Sequence, residues 1–125
     1  MLEKMIRSQT VKQEQQLESF LARHDAANPF PEDVLLTADA DYMGDGRPCH
    51  RMDIFRPREA KEALPVLVNI HGGGFLLGKK EVNRLFCADM CRRGFVVFCL
   101  EYPLVPDVDI FTVFRALTAG IERGT

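Results

Sequence analysis

Serine is scarce in this chain: among 125 residues only Ser8 and Ser19 carry it. Histidine is almost as scarce, confined to His24, His50 and His71. Any hydroxyl nucleophile or imidazole base must come from that short roster. Neither charge sign dominates. Sixteen Lys and Arg against 18 Asp and Glu leave a formal net charge of −2, so no global field draws in a polyanion and nucleic-acid binding is not expected. No apolar run approaches the ~20 residues that a membrane-spanning helix needs. Glu3, Lys4 and Arg7 break up the first ten residues, so no signal peptide is expected there and the cytoplasm is the expected compartment.

What is present suits a globular protein. Hydrophobic residues make up 46% and charged residues 27%, enough apolar surface to offset chain entropy. The length alone suggests one small domain. The four cysteines are Cys49, Cys87, Cys91 and Cys99. Without an export signal, disulfides are not expected. Cys87 and Cys91 are four apart on an expected helix, a spacing at which they could share a metal. No second Cys/His pair accompanies them, so reduced thiols and no metal are expected.

The pattern predicts a helix over residues 2–24. Leu2, Met5 and Ile6 form one apolar cluster and Leu17, Phe20 and Leu21 another on the same face. Polar residues between them point to a surface helix, ended by Asn28-Pro29-Phe30-Pro31. Residues 32–63 predict two strands joined by a turn at Gly44-Asp45-Gly46. Val66 to Ile70 predicts a strand buried on both faces. A helix over 81–93 is predicted to pack through Val82, Leu85, Phe86 and Met90, and Phe95 to Leu100 forms another buried strand. Strand, helix and strand in that order make a βαβ unit with parallel strands. A final helix carries the stripe Ile110, Val113, Phe114, Leu117 and Ile121, with Asp107 or Asp109 able to cap it. Two segments result, an amphipathic helix over 1–28 and an α/β unit over 29–125.

Gly72-Gly73-Gly74 directly follows a buried strand. Three glycines cost much backbone entropy, so either a tight turn or a ligand's close approach must require them. At the carboxyl end of a parallel strand, exposed N–H groups can hold a phosphate or the oxyanion of an acyl-transfer intermediate. His71-Gly72-Gly73-Gly74-Phe75, with Gly78 beyond, resembles the HGGG oxyanion loop of α/β-hydrolase esterases and lipases, the hormone-sensitive-lipase-like branch in particular. Leu64 to Ile70 is similar to that family's third strand. Glu101-Tyr102-Pro103-Leu104-Val105-Pro106-Asp107 resembles its Tyr-Arg-Leu-Ala-Pro-Glu segment, with Pro103 in the Arg place and Val105 in the Ala place. The resemblance covers about residues 33–125. It implies the N-terminal half of an α/β-hydrolase fold, with antiparallel lead strands before the βαβ unit. It further implies a carboxylic-ester hydrolase using a serine mechanism and no cofactor, with a small-molecule ester as partner. Gly73 and Gly74 would supply oxyanion-binding N–H groups, joined by one from the residue after the nucleophile, with His71 and Gly72 supporting the loop. Phe75 would line the pocket or join the core. His71 would not be the general base, because in the family the histidine follows the nucleophile and the acid.

One departure matters. No Gly-x-Ser-x-Gly occurs in the chain, and Ser8 and Ser19 fall on the first helix. The sequence therefore reads as a stretch cut before its nucleophile, with the oxyanion half of a site and no triad. On that reading the isolated chain is inactive, and the third strand becomes an open sheet edge. A non-catalytic remnant of the same fold is the main alternative. A Rossmann-type nucleotide unit is weaker, because Gly72, Gly74 and Gly78 miss the G-x-G-x-x-G spacing by one residue, although Glu101 could serve as its ribose-binding acid. His24 and His50 are expected at the surface. Arg92 and Arg93 are expected to offset a helix dipole. The first helix is expected to act as part of a cap.

Overall fold

The structure is a computed structural model and describes residues 1–124. Helix α1 (Leu2–Ala27) leads into β1 (Val34–Asp41) and β2 (Arg51–Pro57), an antiparallel pair. Then come β3 (Val66–Ile70), a 3₁₀ turn (Lys80–Asn83), α2 (Arg84–Arg92), β4 (Val96–Leu100) and α3 (Ile110–Gly124). The sheet order is β1-β2-β4-β3. β4 pairs antiparallel with β2 and parallel with β3, so Ile70 and Leu100 end side by side. That register brings the segments leaving both strands together, which is where the glycine loop begins.

The sheet is covered on both faces. On one, Phe55, Val97 and Cys99 meet Cys87, Ala88 and Cys91 of α2. On the other, Met52, Leu100 and Tyr102 meet Val113 and Leu117 of α3. The alternation along β4 follows from the two-residue period of a strand. Gly120 lets α3 approach closely, since a Cβ there would stand 2.3 Å from Leu100 Cδ2. Asp109 caps α3, its Oδ1 accepting the Thr112 N–H at 2.7 Å.

Three packing expectations need correction. Val66 and Ile70 are 46% and 41% exposed rather than buried, because among the described residues no strand pairs with the outer edge of β3. Val82 falls in the 3₁₀ turn and is exposed, and α2 turns Phe86 outward and buries Cys87, Ala88 and Cys91 instead. The 3₁₀ turn before it changes the helical phase, and the smaller side chains allow closer approach to the sheet. On α3, Phe114 and Ile121 stay partly exposed while Ala116 and Gly120 are buried. α1 meets the expectation of a surface helix: Ile6, Thr10, Glu14 and Leu17 are half-buried along one side and only Leu21 is buried. No helix among the described residues is long and apolar enough to cross a membrane.

Candidate active site

Residues 71–80 leave β3 and return to α2 over the carboxyl end of β4. The loop takes backbone angles that a side chain would resist. Gly73 has φ +135°, and a Cβ there would fall 1.8 Å from Leu77 O. Gly78 has φ +104°, and a Cβ would stand 2.5 Å from Gly72 O and 2.8 Å from His71 Nδ1. Both positions therefore require glycine. At Gly74 the φ is +64°, with open space where a Cβ would point. Phe75, at φ +63°, is a non-glycine residue in the same left-handed region. It is held by its carbonyl, which accepts the Val105 N–H at 2.8 Å, and by edge contacts with Tyr102 and Phe114 at centroid distances of 5.9 and 5.8 Å.

Gly73 O accepts the N–H groups of Leu76 at 3.1 Å and Leu77 at 3.3 Å, closing the turn. The Gly73 and Gly74 N–H groups have no acceptor among the described residues. Gly74 is exposed. This pair of free donors sits at the carboxyl end of a parallel strand.

Beneath the loop, His71 is buried. Its Nε2 lies 2.7 Å from Glu101 Oε1 and its Nδ1 lies 2.9 Å from Gly72 O. The Tyr102 hydroxyl donates to His71 O at 2.6 Å, and the two rings stack with centroids 4.2 Å apart. Burial, together with the neighbouring Glu101, pushes the Tyr102 hydroxyl pKa up, so it stays a donor. Glu101 Oε2 accepts the Lys80 N–H at 3.2 Å.

The Lys80 side chain continues the support. It is 3% exposed, and its Nζ lies 2.8 Å from Asp39, 2.9 Å from Asp53 and 2.7 Å from Glu81. Burial would lower the Lys80 pKa, but the three carboxylates outweigh it and hold it above its ordinary value. Asp39, in turn, is held below its usual value by Lys80. Arg84 reaches the other oxygen of Asp53 at 3.2 Å.

The structure brings His71, Gly72, Gly73, Gly74 and Phe75 into one loop. His24 and the two serines lie on α1 and not in that loop. His50, expected at the surface, is buried. It lies 2.6 Å from Asp45 and faces Tyr42, bracing the turn before β2. Arg92 and Arg93 pair with Asp33 and Asp89. Cys87 and Cys91 are buried as free thiols, and among the described residues no three metal-ligating side chains converge. Sequence reasoning missed the Lys80 cluster and the way Glu101 faces His71. The one available signal was Asp53, a charge on the same strand face as the apolar Phe55.

The profile of one family, BD-FAE, matches residues 52–114, half of the chain. The chain belongs to the BD-FAE family. The BD-FAE match runs from β2 into α3 and so takes in the glycine loop, Glu101 and Tyr102. Among curated relatives, isoprenylcysteine alpha-carbonyl methylesterase ICME of Arabidopsis thaliana is 28% identical over 76 residues, covering 61% of this chain and 18% of that protein. Versiconal hemiacetal acetate esterase of Dothistroma septosporum is 31% identical over 84 residues, covering 66% and 24%. The chain thus spans a quarter or less of these relatives' length. Esterase B of Lactobacillus rhamnosis superposes with a TM-score of 0.87 at 24% identity, over 97% of this chain and 39% of that one. The fold of this BD-FAE chain is therefore that of the α/β-hydrolase esterases, and the nucleotide-binding alternative drops out.

Proposed function

We propose that this stretch supplies the oxyanion-binding part of a carboxylic-ester hydrolase acting on a small-molecule ester. The observation that carries the reading is the pair of unpartnered N–H groups at Gly73 and Gly74, with open space above Gly74. When a nucleophile adds to an ester carbonyl, negative charge moves onto the carbonyl oxygen. Two fixed N–H donors lower the energy of that tetrahedral intermediate more than that of the ester, and one such donor is typically worth ~3–4 kcal/mol. His71 and Gly72 brace the loop, and Phe75 lines the approach to it. The nucleophile, acid and base are assigned to residues outside 1–125, since no Gly-x-Ser-x-Gly occurs within them. The four free thiols support a cytoplasmic setting.

α1 is assigned to a cap over this site. Arg7 pairs with Asp107, which follows β4, and Glu18 lies 3.4 Å from Lys79 of the loop. Glu14, Leu17, Glu18, Gly78 and Lys79 together enclose a pocket of about 130 Å³.

The test is a chimera in which residues 1–124 replace the superposed part of esterase B, leaving the remainder of that enzyme in place. Hydrolysis of p-nitrophenyl butyrate by the chimera, reduced about 100-fold by Gly74→Ala, is the expected result. A folded chimera without turnover sinks the reading. Residues 1–125 alone are expected to hydrolyse nothing.

A further inference from the structure

We propose that Glu101 is the positioning residue of the glycine loop, one carboxylate tying together the loop's first and last residues. The inference rests on the oxyanion reading for its catalytic meaning, but its geometry stands apart from it. Oε1 faces His71 Nε2 at 2.7 Å, and Oε2 accepts the Lys80 N–H at 3.2 Å. His71 and Lys80 are both buried and lie nine positions apart, with all the loop glycines between them. Glu101 is itself fixed from below, because its N–H donates to Arg51 O at 2.8 Å and it directly follows β4. Its side chain is 17% exposed, so water competes weakly for the carboxylate.

The chemistry singles out a glutamate. Only a carboxylate offers two acceptor oxygens on one planar group. A glutamine keeps the shape, but its one oxygen and one NH2 serve both the Lys80 N–H and His71 Nε2 only with the ring proton moved to Nδ1, and a neutral amide holds each partner more weakly than a carboxylate does. An aspartate keeps both acceptors but pulls them back by one methylene. Tyr102, the next residue, adds the hydroxyl bond to His71 O and the stacked ring. Two consecutive residues at the exit of β4 therefore fix the loop against the sheet. Freed of Glu101, Gly73 and Gly74 would no longer hold their N–H groups at a fixed separation, and preorganisation is what makes such donors effective.

The test compares residues 1–125 as wild type, Glu101→Gln and Glu101→Asp by NMR. In Glu101→Gln the amides of Leu76, Leu77 and Lys80 are expected to exchange roughly ten-fold faster, while those of Val97 and Phe98 in the sheet keep their rates. The His71 ring proton facing Glu101, far downfield against a carboxylate, is expected to shift upfield by more than any other ring proton. Loop exchange within two-fold of wild type together with an unmoved His71 proton overturns the proposal. Equal acceleration of loop and sheet also overturns it, because that marks a general loss of stability. If Glu101→Gln does not fold, the same measurements on Glu101→Asp decide, and the same two results overturn the proposal. None of them involves turnover, so an inactive chimera with a clamped loop would count against the oxyanion reading alone.

Discussion

Gly73 and Gly74 stand side by side and answer to different constraints. At Gly73 a Cβ would collide with Leu77 O, so Gly73→Ala must displace the turn. A loss of about 2–3 kcal/mol in stability is expected, read as a lower urea midpoint. At Gly74 nothing blocks a Cβ, and the strain of a left-handed alanine is about 1 kcal/mol. Gly74→Ala should therefore leave the fold nearly intact while, on the proposed oxyanion reading, which puts its methyl where the substrate carbonyl would bind, reducing kcat/KM of the chimera about 100-fold. Equal effects on stability and turnover at both positions would contradict this division. Lys80 supports a third prediction. Lys80→Met leaves the buried Asp53 carboxylate with Arg84 as its one cation and the Asp39 N–H as a further donor, and a loss of about 3–5 kcal/mol is expected. Since the folded Lys80 pKa lies above its unfolded value of 10.5, its stabilisation is complete below pH 10.5 and fades as pH rises through the folded value. Alkaline titration of the urea midpoint should fall less steeply in Lys80→Met than in wild type.

Among the elements, α3 and α1 differ in what holds them. The Thr112 N–H bond holds the Asp109 carboxyl below its usual 3.8. Its stabilisation is present above pH 3.8 and lost as pH falls through the folded value. Asp109→Ala should lower helicity by circular dichroism at neutral pH, and the difference from wild type should close on acidification. α1 is docked by one buried residue, Leu21, by a half-buried side through Ile6 and Leu17, and by exposed ion pairs. Removing residues 1–27 should therefore cost only about 2 kcal/mol. In the chimera the same deletion is expected to change substrate preference, and unchanged kinetics would count against the cap assignment. At this scale the sequence was largely legible, because long periodic runs fix element type. His71 to Phe75 was legible too, since three glycines after an apolar strand leave few explanations. Legibility stopped where packing decides. The stripes on α2 and α3 named the large residues, whereas the sheet selected Cys87, Ala88, Ala116 and Gly120 for their small size. His50 was misread because Asp45, five residues earlier, satisfies it only once the turn closes. Glu101 was read only as the start of the segment after the last strand and as a possible ribose-binding acid, because its partners His71 and Lys80 are 30 and 21 positions away.

For the whole molecule, the open side of β3 is the dominant fact. Val66 and Ile70 lie exposed on an edge that no strand among the described residues covers, and Phe111 and Phe114 of α3 add apolar surface. Such edges pair with other chains. Residues 1–125 in isolation should associate with rising concentration, measured by sedimentation velocity. Val66→Lys should suppress that association at little cost in stability, because Val66 is already 46% exposed.

The strand order carries one further consequence, for synthesis. β4 follows both of its neighbours, β2 and β3, in the chain. The anchors of the glycine loop, Glu101 and Tyr102, emerge from the ribosome just behind β4. By then His71, the loop glycines, Lys80 and the carboxylates around it have all been translated. Phe114, which meets Phe75, follows within a few turns of helix. The glycine loop and its anchors His71, Lys80, Glu101 and Tyr102 can therefore close as soon as β4 pairs with β2 and β3, while the chain is still being made.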